Sequence, residues 1–421
     1  MLTGLKNTKS LLTVMICLAY AGLFFSITIN NILLGLLLVF CLLNLRPIEI
    51  LQSVRDNMFP KILIALFIVQ IIGLTYSDNF NNGLFILEKK ASFLLIPLLL
   101  FPLFQKTNID IKVICRWIGI ITIGSSVVLF VLAVIKRFFL DDPQAFFYEE
   151  ITSIHYVYYS IYFATGSLIL IDSLFDSWIK TQKGIIGISI LFIYSFAVLV
   201  IIASKTGIGA FCVVTVLFLY KRIPNKRIFG FALLAFIVIA TLLFYFNTTT
   251  RARFTEMNQS ISFLLKDDFR GVEVYVTDLT MRLIFWKISI TQLFHDNLFW
   301  AGVGTGDAQD YLNYVYTLPQ YDMGSYLNWD AHNEWIFTFI QLGIMGLIVM
   351  IFLFGKYLIK SFQSNDLKFL TFLIVTGCFS VTESILESNK GIVFFALLFT
   401  LFAASYGSTH ENAQKVSSPG M

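Results

Sequence analysis

The chain has 421 residues, of which 57% are hydrophobic and 13% are charged. Soluble domains carry about 25% charged residues, so the composition excludes an ordinary soluble protein. The net charge of +4 does not indicate a nucleic-acid partner, because the positions of the charges matter more than their sum. Apolar runs that can cross about 30 Å of hydrocarbon recur from end to end. We therefore predict an all-α polytopic membrane protein, with residues 1–421 forming a single membrane-embedded domain.

About twelve apolar runs are predicted as membrane-spanning helices. The first follows Lys6 and Lys9 and continues past Ala19-Tyr20-Ala21, so we expect a retained helix rather than a cleaved signal peptide. The five cysteines lie in or beside such runs without a CxxC pair, and they predict neither a disulfide nor a metal framework. The runs are 10–29, 31–45, 60–76, 91–104, 113–135, 155–171, 184–203, 206–220, 228–246, 333–355, 368–384 and 391–406.

Basic residues occur in every second connection between these runs, which is the pattern of cytoplasmic loops. The loop 247–332, between the ninth and tenth helices, is therefore predicted to face outward. Both termini are predicted to be cytoplasmic, and the polar tail 408–421 is predicted to be disordered. The basic residues on the predicted inner side are Arg46, Arg55, Lys61, Lys106, Lys112, Arg116, Lys180, Lys183, Lys221, Arg222, Lys226, Arg227, Lys356, Lys360, Lys368 and Lys415.

Ionisable residues also gather at the predicted outer edge of the membrane, where cations are disfavoured. A single cation at a helix end commonly reaches for lipid headgroups, and a single histidine is more often a hydrogen-bonded cap than a catalyst. The group is more informative than any one member, because all of these residues project into one layer. They are Lys89, Lys90, His155, Lys205, Arg282, His332, Glu383, Glu387 and Lys390.

This outer layer has the chemistry of a metal-independent glycosyl transfer that uses no cofactor. Cations beside the membrane surface suit a lipid-linked diphosphate, and each contact is worth about 4 kcal/mol before desolvation at about 4 Å and an effective dielectric near 20. The cations could also stabilise the diphosphate as it leaves. A neutral histidine could accept the proton of an incoming sugar hydroxyl.

Two further patterns in the loop carry less information. The turn Gly302-Val303-Gly304-Thr305-Gly306 has no following Lys-Ser or Lys-Thr, so it is not a Walker A phosphate loop. The loop's acidic residues lack compact metal-ligand spacing, and we predict no metal site. These acidic residues are Asp307, Asp310, Asp330 and Glu334.

Three motifs in and after the loop occur in a fairly specific order. They are Met281-Arg282-Leu283-Ile284-Phe285-Trp286, the glycine turn at 302–306, and Ala331-His332-Asn333-Glu334-Trp335, which continues into Gln341 to Leu347. On these motifs the chain resembles the O-antigen ligase and polymerase family of bacterial envelope proteins. The resemblance implies a GT-C-like membrane glycosyltransferase of the bacterial inner membrane, with a periplasmic active site. It also implies an undecaprenyl-diphosphate-linked glycan donor and, for ligases, a lipid A-core acceptor with inversion at the anomeric carbon.

The resemblance also implies roles for particular residues. His332 would be the base that activates the acceptor hydroxyl, and Arg282 would hold the diphosphate. Lys205 lies where ligases commonly carry an arginine, and it keeps the charge but lacks the bidentate fork. The residues predicted to bind the diphosphate or the acceptor are Lys205, Lys89, Lys90, His155, Asn333 and Glu383.

Three alternatives stay open at this stage. Polymerases of the family commonly have two sizeable outer loops with Arg-x10-Gly motifs. This chain has one large outer loop and no Arg followed by Gly at that spacing, so we favour a ligase. A protein O-glycosylation ligase shares the same family. A lipid or solute transporter would place polar groups at mid-bilayer, but the predicted span centres are nearly free of charge, with Asp172 the closest exception.

Overall fold

The computed structural model describes residues 2–142, 154–248, 251, 278–321 and 323–417. Every regular element in these ranges is helical, which confirms the all-α prediction. The helices before the loop are α1 (Leu2–Gly22), α2 (Ile27–Asn44), α3 (Pro47–Asp56), α4 (Met58–Leu74), α5 (Phe80–Lys90), α6 (Ser92–Thr107), α7 (Ile111–Phe139), α8 (Tyr156–Trp178), α9 (Gln182–Ile202), α10 (Lys205–Arg222) and α11 (Lys226–Phe246). The later helices are α12 (Asp278–His295), α13 (Ala308–Thr317), a 3-10 turn (Gly324–Tyr326), α14 (Glu334–Gln363), α15 (Leu367–Thr382) and α16 (Asn389–Ser417).

Each of the twelve predicted runs overlaps one of these helices. Within the described ranges, six helices are long and apolar enough to cross a membrane: α2, α7, α8, α9, α11 and α14. The pair α3 and α4, bent by 94°, would form a seventh span. The remaining runs fall on helices that miss these limits; α6, for example, has only 16 residues and contains Pro97 and Pro102. The chain is therefore a multi-pass membrane protein with six or seven candidate spans.

Helix α8 is the centre of the bundle, and α11 lies at its edge. Some 83% of the apolar window of α8 is buried, and its neighbours are α7, α9, α10 and α15. Helix α11 buries none of its residues and contacts α9 and α10. A second, smaller hydrophobic cluster joins α12 and α13 to the start of α14. The part of the outer loop that the structure describes is thus folded onto the bundle.

Helix α14 is broken at Gly343, where φ is +60° and ψ is −156°. At the break, the backbone carbonyls of Ile340 and Gln341 accept hydrogen bonds from the glycine turn instead of from the helix. Val303 N donates to Ile340 O and Gly304 N donates to Gln341 O, both at 2.9 Å. A Cβ at Gly343 would lie 2.4 Å from the carbonyl oxygen of Trp300. The short outer segment of α14 is thereby fixed against the loop.

Charged residues predicted on the inner side contact one another. Arg222 Nε donates to Asp172 Oδ1 at 3.0 Å, and Lys368 Nζ lies 2.5 Å from Asp172 Oδ2. Lys106 Nζ lies 2.9 Å from Glu49 Oε2. Each of these contacts joins residues from separate parts of the chain.

The predicted loop 247–332 and the predicted tail 408–421 are each described only in part. The loop 247–332 is described at 247–248, 251, 278–321 and 323–332, so Arg253 and Arg270 lie outside the described residues. Helix α16 continues to Ser417, so the backbone from Ser408 is helical where we predict disorder. No glycine or proline interrupts the stretch from Ser408 to Ser417, and nothing therefore stops the helix. The rest of the predicted tail, 418–421, lies outside the described residues.

Candidate functional site

His332 lies in the connection just before α14, and two side chains fix its backbone. Asp330 Oδ1 accepts a hydrogen bond from His332 N at 2.9 Å, and Asn333 Oδ1 accepts from Trp335 N at 2.9 Å and from Ile336 N at 3.1 Å. Asn333, predicted to bind substrate, is therefore placed as the buried N-cap of α14. His332 adopts a φ of +45°, which is uncommon for a residue with a Cβ. The Asp-Ala-His-Asn sequence thus sets where the imidazole points.

The imidazole of His332 faces two carboxylates. Its Nδ1 lies 3.3 Å from Glu383 Oε2 and 3.4 Å from Asp330 Oδ1. The ring of Trp329 meets it edge to face, with 5.9 Å between centroids. The side chain of His332 is 27% exposed, so the ring is sheltered but accessible.

These neighbours change the basicity of His332. Burial disfavours the charged ring, but the hydrogen bond to Glu383 and the charges of Asp330 and Glu383 outweigh both burial and the opposing charge of Arg282. The pKa of His332 is therefore raised above its ordinary value. A histidine of higher pKa is a stronger base when it is neutral.

Glu383 joins His332 to Arg282. While its Oε2 faces His332, its Oε1 lies 2.9 Å from Arg282 Nη1. Arg282 Nη1 also donates to the carbonyl oxygen of Thr382. These three residues belong to the predicted outer layer, and the structure brings them into direct contact. We call Arg282, His332 and Glu383 the outer cluster.

Helix α12 holds Arg282 in this position. One face of the helix, with Met281, Ile284, Phe285 and Ile288, is buried in the smaller hydrophobic cluster. On another face, Trp286 Nε1 donates to the carbonyl oxygen of Ala331 at 2.7 Å, directly before His332. Arg282 and Trp286 of the first motif therefore join α12 to two other segments. Arg282 contacts the turn after α15, and Trp286 contacts the segment before α14.

Lys205 is the first residue of α10, whose N-cap is Ser204. The next residue, Thr206, shares a 2.8 Å hydrogen bond with the hydroxyl of Thr382. Since the carbonyl of Thr382 accepts from Arg282, the N-terminus of α10 adjoins the outer cluster. Lys205 itself is half-buried.

The other predicted binding residues have separate surroundings. Lys90 is buried, with its Nζ 2.5 Å from Glu387 Oε1 and 3.3 Å from Gln341 Oε1. Lys89 places its Nζ 4.2 Å from the ring centroid of Phe85. His155 is the exposed N-cap of α8, where its Nδ1 accepts from Val157 N at 3.4 Å.

Sequence reasoning missed two acidic residues of this region. From the sequence, Asp330 and Glu334 are considered only as possible metal ligands, but Asp330 contacts His332. Glu334 is 1% exposed, and its Oε2 accepts from Leu386 N at 2.7 Å. Their closeness to His332 in sequence was the available signal. Within the described ranges, no group of three or more His, Cys, Asp or Glu residues could hold a metal ion.

The glycine turn serves backbone packing. Gly304 has a φ of +105°, and a Cβ there would lie 2.5 Å from Ser77 Oγ. Thr305 N donates to Gly73 O at 3.3 Å, and Thr305 Oγ1 donates to Gln70 O at 2.7 Å. The turn therefore packs between α4 and the break in α14.

The family model described as O-Antigen ligase matches residues 190–351, somewhat less than half of the chain. The chain carries an O-antigen ligase family domain. This domain includes Lys205, Arg282 and His332, whereas Glu383 lies beyond its end. It supports a glycosyltransferase-like ligase activity and, in general terms, lipid-linked glycan and lipid A-core substrates. No curated protein matches the chain.

Proposed function

We propose that this protein transfers a glycan from undecaprenyl diphosphate to lipid A-core at the periplasmic face of the inner membrane. The observation that carries the proposal is the outer cluster, in which one carboxylate holds both a guanidinium and an imidazole. This pairing supports the proposal because a guanidinium that can bind a diphosphate lies beside an imidazole that can accept a proton. The O-antigen ligase domain supports the same class of reaction.

In this proposal His332 is the base. With Nδ1 donating to Glu383, the lone pair of Nε2 can accept the proton of the acceptor hydroxyl. The hydroxyl oxygen then forms a bond to the anomeric carbon, and the bond from that carbon to the diphosphate oxygen breaks. Attack opposite the leaving group inverts the anomeric carbon. The carboxylate of Glu383 orients the ring and stabilises the imidazolium that forms.

Arg282 and Lys205 bind the diphosphate in the same scheme. Undecaprenyl diphosphate leaves with the bonding electron pair, so negative charge grows on its oxygens during the reaction. Fixed cations near that charge stabilise the transition state more than the ground state. Arg282 suits this role because the guanidinium has five N–H donors in a planar fork.

We also propose the arrangement of the chain in the membrane. The twelve predicted runs would form twelve spans in a GT-C-like bundle, with both termini in the cytoplasm and the outer cluster in the periplasm. The overlap of every run with a helix supports this count. The shared contact of the predicted inner cations Arg222 and Lys368 with Asp172 supports the orientation.

A polymerase or a protein O-glycosylation ligase would use the same cluster with another acceptor. We favour lipid A-core because the chain has only one large outer loop. A transporter would need polar groups along a path at mid-bilayer. The residues of the outer cluster instead lie near helix ends. The cations that contact Asp172 also lie near helix ends, Arg222 at the end of α10 and Lys368 at the start of α15.

Complementation of a strain that lacks this gene tests the proposal. We expect His332→Ala and Arg282→Ala to accumulate normally and to abolish glycan attachment to lipid A-core on lipopolysaccharide gels. His295→Ala is the matched control, because His295 ends α12 with a side chain that is 78% exposed. Normal ladders from both site variants would contradict the proposal. Core capped with a single repeat in the deletion strain would identify a polymerase.

A further inference from the structure

Three ionisable side chains lie together beside the outer cluster, and two of them are buried. Lys90, at the end of α5, is 3% exposed, and Glu334, at the start of α14, is 1% exposed. Glu387 lies in the turn between α15 and α16, with its Oε1 2.5 Å from Lys90 Nζ. We call these three residues the buried clamp. Charges at such depth are costly unless they are paired and hydrogen-bonded.

The buried clamp holds the turn that carries Glu383. Glu334 Oε2 accepts from Leu386 N at 2.7 Å, three residues after Glu383. Glu387, one residue further, is held by Lys90. Glu334 also follows His332 by two residues. Its carboxyl group therefore joins the segment that carries His332 to the turn that carries Glu383.

Lys90 has a further contact within the protein. Its Nζ lies 3.3 Å from Gln341 Oε1, which also accepts from Gln70 Nε2 at 2.8 Å. Gln341 Nε2 donates to Thr305 O at 3.0 Å. The ammonium group is therefore tied to α4, to the glycine turn and to the outer segment of α14. These contacts indicate that Lys90 is a counter-ion to Glu387 inside the protein.

We propose that Lys90, Glu334 and Glu387 are positioning residues that hold Glu383 against His332 and Arg282, and that Lys90 does not bind the diphosphate. This inference rests on the proposed function of the outer cluster. The physical reason is the small tolerance of a general base for misplacement: a shift of about 1 Å can lower the rate by about 100-fold.

Paired substitutions distinguish a counter-ion from a substrate ligand. Removing one partner of a buried ion pair leaves an uncompensated charge, whereas replacing both partners can be nearly neutral. We expect Lys90→Met to lower kcat by about 10- to 100-fold with little change in the KM for the donor. Lys90→Met combined with Glu387→Gln should recover most of this loss.

The assay uses the full chain in vesicles with a lipid-linked glycan donor and a lipid A-core acceptor. Lys136→Met, in the last turn of α7, is the control for loss of a lysine. A raised donor KM with kcat retained, and no recovery in the double variant, would show that Lys90 binds the diphosphate and would overturn the inference.

Hydrogen exchange provides a second measurement that does not depend on activity. Lys90→Met should speed exchange of the amides at 383–388, including that of Leu386, and the double variant should slow it again. Unchanged exchange in Lys90→Met would also overturn the inference. If instead His332→Ala retained full activity, the proposed function would fail, while the exchange result would still decide whether the buried clamp holds the turn.

Discussion

The two ends of the bundle each hold charged side chains from three separate segments, and they differ in burial and in chemistry. The inner cluster consists of Asp172 on α8, Arg222 on α10 and Lys368 on α15. Asp172 is 3% exposed and contacts both cations. This arrangement fastens three helices together.

The outer cluster joins α12, the segment before α14 and the turn after α15 in a comparable way. Its central carboxylate, Glu383, likewise contacts two partners, but one of them is His332. Its carboxylate is 16% exposed, whereas that of Asp172 is 3% exposed. The comparison teaches that charge pairing alone does not mark a site. A more accessible central carboxylate and a histidine partner set the outer cluster apart.

The largest effect is expected at the carboxylate of the outer cluster. Glu383→Gln removes the charge that orients His332 and stabilises its imidazolium, so kcat should fall by about 100- to 10,000-fold. Glycan transfer in vesicles, normalised to folded protein, measures this. Asp176→Asn, at a carboxylate whose side chain is 77% exposed near the inner cluster, is the control. Turnover of Glu383→Gln close to that of the unmodified protein would remove the distinction between the two clusters.

The inner cluster should respond in stability rather than in turnover. Asp172→Asn leaves Arg222 and Lys368 without their shared partner, and we expect the free energy of unfolding to fall by about 3 kcal/mol. Denaturant unfolding in detergent measures this change. Turnover per folded molecule should be unchanged. A loss of turnover with full stability would mean that the inner cluster takes part in function.

Lys205 tests whether the outer site includes the N-terminus of α10. Lys205→Arg keeps the positive charge and should retain activity, whereas Lys205→Ala should lower kcat/KM by about 10-fold, or about 1.4 kcal/mol. Initial rates over a range of donor concentrations separate the two variants. Equal activity of both would show that Lys205 anchors the chain to lipid instead of binding the diphosphate.

The helices were predictable and the contacts between them were not. The apolar runs were long enough to place each helix, but the break at Gly343 depends on Val303 and Gly304, which lie some forty residues earlier. A run of apolar residues contains no signal for such a partner.

The site was predictable to the extent that its chemistry is local. Arg282 and His332 stood out because they are charged or titratable residues beside membrane spans. Lys90 gave the same signal, but its partner Glu387 is 297 residues away in sequence. Only the tertiary structure separates a lysine held by an internal carboxylate from one that faces the outer surface.

The smallest effect concerns pH. Because the pKa of His332 is raised in the folded protein, the charged ring stabilises the fold. This contribution is fully present below the ordinary histidine value near 6.5 and is lost as pH rises through the raised pKa. Activity has the opposite sign, since the base must be neutral: it should fall as pH decreases through the raised pKa.

Glu383→Gln should lower the pKa of His332, because it removes the carboxylate that raises it. Both transitions should then move toward lower pH: the loss of stability seen by thermal unfolding, and the acid limb of the residual transfer rate. Asp172→Asn should leave both transitions at the pH at which they occur in the unmodified protein. A shift produced by the inner variant, or none from the outer one, would mean that the imidazole does not titrate against Glu383.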